Sequence, residues 1–370
     1  MGDAFMQKAR ETMDLSYYQR AESAYRKSLE IKPEYANALV GIAWVLSGRH
    51  EFEQSIQWAN RALKIEPNRA DAYGLLGDAA TETGDYDSAF EYYQKMLDLK
   101  PGVASYSRAA HLLFVTGGYK KATLLMYKAV GAGAAYPENR AWCMAQMALL
   151  DFAQGGYLPA SQILTVGLKE SPSNYHLLAA MGKVKAAMKD FPAAIEYYKK
   201  AQAIVPQHDV VVALGDIYKL QGRAAEAEQQ YALVDFIRQL NKANGVAGDL
   251  QLAAFLADHD RHLGEALELA ESEYKVRPTV YAADTLAWCY YKNGHIPEAR
   301  KFSVKALSQN TPEAMFLYHR GMILAKAGDI GEARKTLYQA LSQNPYFDPL
   351  AAGVAMKMVQ ELGAVSVAKK

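Results

Sequence analysis

The sequence predicts an all-α fold: a right-handed α-solenoid of about ten helix pairs closed by a C-terminal capping helix. Small residues recur in a fixed register, with Ala21, Ala89, Ala122, Ala160, Ala194, Ala227, Ala266, Ala299 and Ala333 in one series and Ser55 in its remaining slot. Twelve residues before each stands another small residue: Ala9, Ala43, Gly77, Ala110, Ala148, Gly182, Gly215, Ala254, Ala287 and Gly321. The series advances in steps of 33 to 39 residues, a period that marks stacked helix pairs. Two small sites per unit are what a tightly packed pair needs, because backbones approach closely only where no bulky side chain intervenes.

The units lie near 2–35, 36–69, 70–102, 103–136, 141–174, 175–207, 208–244, 247–279, 280–313 and 314–347. The third is the clearest. Tyr73, Leu76, Gly77 and Ala80 fall at helical spacing, Gly84-Asp85-Tyr86 turns the chain, and Ala89, Tyr93 and Met96 form a second helix stopped by Pro101. Closing prolines recur at Pro33, Pro67, Pro172, Pro206, Pro278 and Pro345, and turn glycines at Gly117, Gly155, Gly222, Gly294 and Gly328. Between units four and five, Gly131 to Asn139 adds about four residues to a loop. In unit seven no proline stops the second helix, which is expected to run to Asn244 with Gly245 as its stop. Unit eight is the least regular, with Glu273 where a small residue is expected and Arg261 in place of the turn glycine. Residues 348–363 read as a solitary helix capping the last exposed core face, before a tail at 364–370.

This pattern resembles the tetratricopeptide repeat, with an aromatic, Leu, Gly and Tyr in helix A and Ala, an aromatic, Ala and Pro in helix B. At Arg140-Ala141-Trp142-Cys143, Tyr231-Ala232-Leu233-Val234 and Tyr281-Ala282-Ala283-Asp284 it is similar to a group of bacterial multi-repeat proteins, which implies a bacterial source and no particular activity.

Lys and Arg number 41 against 40 Asp and Glu, a net charge of +1. That gives no basic stripe for nucleic acid. No apolar run reaches the length of a membrane span, and no signal peptide is present. The compartment stays open: cytoplasmic as the sequence stands, extracytoplasmic if a leader precedes it. Cys143 and Cys289 fall four units apart on inward faces, too far to pair, and read as buried thiols.

The resemblance implies a concave groove lined by the helices A. It places Trp44, His111, Phe114, Trp142, Phe152, Phe255, Tyr281, Asp284, Trp288, Tyr291 and Tyr318 on that surface. Large aromatics there would dominate the binding of a peptide or partner helix. Tyr281, Trp288 and Tyr291 share one helix face and form the principal expected contact, flanked by Phe255 and Tyr318. The carboxylate clamp of chaperone-tail adaptors in this family is absent, since no Asn stands in the helix A positions it requires.

No catalytic, cofactor or metal motif emerges. Asp258-His259-Asp260-Arg261-His262 has the composition of a polar inter-helix turn. Gly131-Ala132-Gly133 follows a helix rather than a strand, unlike a phosphate loop. The expectation is a non-catalytic protein–protein interaction scaffold, no enzyme, with no nucleic-acid partner and no membrane insertion. The alternatives are a self-assembling homo-oligomeric solenoid or the accessory repeat region of a larger protein.

Overall fold

The computed structural model describes residues 1–12, 14–243 and 250–368, with side chains left undescribed at 240–242 and 364–368. Among the described residues there are 21 helices and no strand. In chain order they are α1 (Gly2–Thr12), α2 (Ser16–Ile31), α3 (Ala36–Gly48), α4 (Phe52–Ile65), α5 (Ala70–Glu82), α6 (Tyr86–Leu99), α7 (Val103–Val115) and α8 (Tyr119–Ala132). Then come α9 (Pro137–Ala153), α10 (Tyr157–Glu170), α11 (Tyr175–Ala187), α12 (Phe191–Ile204), α13 (His208–Leu220), α14 (Ala224–Ala243), α15 (Leu250–Asp258) and α16 (Leu263–Val276). The series ends with α17 (Val280–Lys292), α18 (Ile296–Ala306), α19 (Ala314–Lys326), α20 (Ile330–Gln343) and α21 (Ala351–Ala368). The chain is an all-α solenoid in which odd and even helices pair and successive pairs stack. No described helix is long and apolar enough to cross a membrane.

The small-residue register is the seam of each pair. Ala21, Ala89, Ala122, Ala160, Ala194, Ala266, Ala299 and Ala333 are wholly buried. Ser55 keeps the seam in the remaining slot, because its Oγ donates to the Ala43 carbonyl at 2.8 Å. Helix A is matched in volume to helix B. Where the second helix offers tyrosine, the first offers glycine: a Cβ on Gly77 would stand 2.3 Å from the Tyr93 ring, and one on Gly215 2.5 Å from Tyr231. Each tyrosine hydroxyl then donates to an aspartate beside that glycine, Tyr93 to Asp78 at 2.8 Å and Tyr231 to Asp216 at 2.6 Å.

Several local expectations are corrected. The extra residues before unit five lengthen a helix rather than a loop: α9 has 17 residues and starts at Pro137, whose fixed φ suits a first helical position. In unit eight the helix A register slips by one. Ala253 is wholly buried and Cys289 Sγ approaches its carbonyl at 3.8 Å, whereas Ala254 is only half-buried. The slipped residue enlarges the turn, where Asp260 and His262 both take left-handed backbone (φ 52° and 42°) and Arg261 does not. The capping helix starts at Ala351, since Asp348 Oδ1 accepts the Leu350 and Ala351 amides at 2.8 and 2.7 Å, and it runs on to Ala368. The α14 helix spans 20 residues, and its expected stop at Gly245 lies outside the described residues.

Successive turns of the superhelix touch. The α5–α6 corner meets the end of unit eight, where Arg277 pairs with Glu82 and the Val280 amide donates to Tyr86 Oη at 3.1 Å. One unit on, Thr311 Oγ1 donates to the Val115 carbonyl at 2.5 Å. One unit further, Asn344 Nδ2 donates to the Phe152 carbonyl at 2.8 Å and Tyr157 Oη bonds Asn344. At the other end Arg10 reaches Glu138 at 3.2 Å. The three C-terminal contacts join residues between five and six repeats apart, Arg10 and Glu138 lie about four apart, and together they close the concave surface into a lumen.

Candidate binding lumen

The lumen is a cavity of about 1420 Å³ with walls drawn from every part of the solenoid, from Arg10 and Trp44 to Asp348 and Met356. Helix A residues dominate its wall, because each pair turns that helix inward and its partner outward. Seven of the residues expected in the groove line it: Trp44, His111, Phe114, Trp142, Phe152, Phe255 and Tyr281. Trp44, Trp142 and Tyr281 are half-buried, and His111 keeps much of its surface free. That free surface faces the lumen rather than bulk solvent. Enclosure lowers the His111 pKa by disfavouring the imidazolium, against the opposing pull of Glu82 and Asp78. Lys183 Nζ lies 5.1 Å over the Phe152 ring.

The remaining four do not line the cavity. Trp288 is 3% exposed, stacked on Tyr291 at 4.7 Å and on His319 at 4.2 Å. Its indole N–H donates to Asp258 Oδ1 at 2.7 Å. Tyr318 is buried against Trp288 and Phe347. Asp284 is buried and bonds His319 Nδ1 at 2.8 Å. Of the stripe expected in unit nine, Trp288 and Tyr291 thus form a stack within the wall while Tyr281 lines the lumen, because closure of the superhelix packs neighbouring helices A against one another. The one-residue slip places Ala254 on the lumen and turns the Phe255 ring onto Tyr231 and His259, at 5.5 and 4.6 Å.

Sequence reasoning passed over an acidic arc in the C-terminal half of this lumen. Asp216, Asp258, Glu313 and Asp348 all line it. His259 Nε2 meets Asp216 Oδ1 at 2.7 Å, and its Nδ1 meets the Phe255 carbonyl at 2.8 Å. The residues 258–262 read as an inter-helix turn thus tie three units together, with Lys292 on Asp260 and Arg261 on Glu228. Burial, then the charges of Asp216 and Asp258, push the Asp348 carboxyl up to about 6. Burial likewise raises Asp258 and Glu313. Burial opposes charge on His259 and His319, but bonds to Asp216 and Asp284 outweigh it and raise both. Of the arc only Asp216 stands in a repeat register, beside the small residue of helix A as Asp78 does; the other three follow no period that could have located them.

The two thiols lie elsewhere. Cys143 and Cys289 are free and wholly buried, and burial pushes both up to about 12, away from nucleophilic thiolate chemistry. No group of His, Cys, Asp and Glu among the described residues has the geometry to hold a metal ion.

Family models described as "Tetratricopeptide repeat" match residues 2–35, 49–104 and 285–346. The small glutamine-rich tetratricopeptide repeat-containing protein 2 of Mycosarcoma maydis is 32% identical over 91 residues, 25% of this chain and 26% of that protein. The match therefore spans about a quarter of the relative's length. Among solved structures, the human IFIT1 dimer with m7Gppp-AAAA is 15% identical, with 80% of this chain and 68% of that one covered at a TM-score of 0.53. That likeness is one of fold. PilF of Pseudomonas aeruginosa is 19% identical, with 60% and 97% covered and a TM-score of 0.46.

Proposed function

We propose, from the premise that the chain is a tetratricopeptide repeat protein, that it is a non-catalytic scaffold holding an extended segment of a protein partner in its lumen. The observation that carries this reading is the lumen itself, a cavity of about 1420 Å³ with Trp44, Trp142 and Tyr281 only half-buried along its wall. Partly uncovered aromatics in a concave site gain most when a ligand covers them. A nucleic-acid ligand is disfavoured by the net charge of +1 and by Asp216, Asp258 and Asp348 on the same wall. Enzymatic chemistry has no support here, since His259 is bonded to Asp216, His319 Nδ1 is bonded to Asp284, and burial holds both thiols protonated.

Panning a random 12-mer peptide display library against the full chain tests the reading. Selected peptides should lose at least ~2 kcal/mol of affinity on Trp142→Ala, with helicity by circular dichroism unchanged. Recovery of no peptide would sink it. The self-assembly alternative predicts an oligomer by light scattering that Trp142→Ala disrupts.

A further inference from the structure

The outer face of the solenoid is built by the even-numbered helices, and its charge is uneven. Six of them carry an acid in the first turn: Glu53 in α4, Asp87 in α6, Glu226 in α14, Glu265 in α16, Glu298 in α18 and Glu332 in α20. Such acids suit the positive end of the helix dipole. In α8 the same turn holds Lys120 and Lys121, and the helix contains no acid at all. In α10 the one acid is the final Glu170, which Arg140 holds at 2.8 Å. Between Asp98 and Glu138 the sequence has five Lys and Arg and no acid.

We propose that the outer face of α8 and α10 is a docking surface for an anionic lipid bilayer, on which the solenoid lies without crossing it. At helical spacing Lys120, Lys121, Leu124, Tyr127 and Lys128 share an arc of about 120°. All five are exposed, and Leu124 sits one turn from Lys120 and one from Lys128. Tyr136 stands past the end of the same helix, and Leu158 opens α10 in the next unit. Leu124, Tyr127, Tyr136 and Leu158 are between 57% and 67% exposed, which leaves their apolar surface open to a partner. Lys128 Nζ stands 5.9 Å over the Tyr106 ring, and among the described residues none of the three lysines is ion-paired.

The chemistry of this face selects lipid over protein. A protein interface gathers its apolar residues into a core from which lysine is depleted. Here lysines alternate with the apolar residues along one helix, and their long stems can lie along apolar surface while the ammonium groups reach lipid phosphates. Tyrosine rings such as Tyr127 and Tyr136 suit the headgroup level, and Leu124 and Leu158 suit the acyl boundary beneath it. Each lysine near an anionic surface adds to the attraction. The other outer faces fix the orientation, since α6 presents Asp87 and Glu91 and α16 presents Glu268, which the same surface repels. The face lies outside the lumen, so the inference stands apart from the lumen reading.

Co-sedimentation of the full chain with phosphatidylcholine vesicles, with and without about 30% phosphatidylglycerol, tests the surface. At about 50 mM salt the chain should pellet with the anionic vesicles and not the neutral ones, and about 0.5 M salt should release it. Lys120→Glu, Lys121→Glu and Lys128→Glu together should cut partitioning at least about tenfold. Lys199→Glu, Lys200→Glu and Lys275→Glu make the same change in net charge on the outer faces of α12 and α16, and that variant should bind like the parent. Leu124→Ser with Tyr127→Ser should weaken binding at unchanged charge. Every substituted position is exposed, so circular dichroism should be the same throughout. No binding to anionic vesicles at low salt, or equal loss in the two charge variants, would overturn the proposal. Capture of poly-glutamate but not of vesicles, through Lys120, Lys121 and Lys128, would overturn it in favour of an acidic protein partner.

Discussion

Gly84 abuts the carbonyl oxygen of Pro278 one superhelical turn away, and a Cβ at that glycine would stand 2.7 Å from it. The contact requires two properties of glycine together: the left-handed backbone of an inter-helix corner (φ 75°) and the absence of a side chain against the next turn. Gly328 occupies the equivalent corner of the last pair with φ 86°, but nothing lies within 4 Å of its added Cβ.

Gly328→Ala should therefore cost only the left-handed strain, roughly 1–2 kcal/mol. Gly84→Ala should cost that and a further ~1–3 kcal/mol from overpacking at the seam. Denaturant midpoints for the two variants give the difference, and small-angle scattering should show a looser superhelix for Gly84→Ala alone. Equal midpoints would show that the turns do not touch in solution.

Trp288 holds three units together through its stack on His319 and its bond to Asp258. Trp288→Ala should destabilise by about 3–5 kcal/mol, the range for removing a buried aromatic. Trp288→Phe should keep the packing but leave the Asp258 carboxylate without its donor, at roughly 1–3 kcal/mol. A Trp288→Ala variant that melts like the parent would return this residue to the binding surface expected from sequence.

Ala194 is wholly buried in the seam between α11 and α12. Ala194→Leu should lower stability by typically 1–3 kcal/mol through overpacking. An unchanged melting temperature would contradict the seam.

Asp348 gives a pH signature. Its folded pKa, about 6, stands above the ordinary carboxylate value, so the folded state retains a proton that the unfolded chain releases. The stabilisation is complete below about pH 4 and is lost as pH rises to about 6. Asp348→Asn should flatten the stability curve over that window, by ~1–2 kcal/mol after allowance for solvent screening. Because His176, lowered by burial to about 4, works in the opposite sense, the informative quantity is the difference between parent and variant across pH. A constant difference from pH 4 to 7 would show that Asp348 ionises normally.

The sequence by itself determined the all-helical class, the pairing of helices and the seam residues, because a repeat packs mainly on its neighbours and writes those contacts at short range. It also placed the helix A residues that face inward, and Trp44, Trp142 and Tyr281 do line the cavity. It could not determine the superhelical pitch, which accumulates from small rotations at every stacked interface. Pitch decided that Pro278 would meet Gly84, that the groove would close, and that Trp288 and Tyr318 would be buried in its wall. The slip of one residue in unit eight belongs to the same class: Ala253 and Ala254 are both small, so only packing could choose between them. The convergence of Asp216, Asp258 and Asp348 was likewise invisible, since their spacing of 42 and 90 residues follows no repeat and acquires meaning only once the chain has wound back on itself.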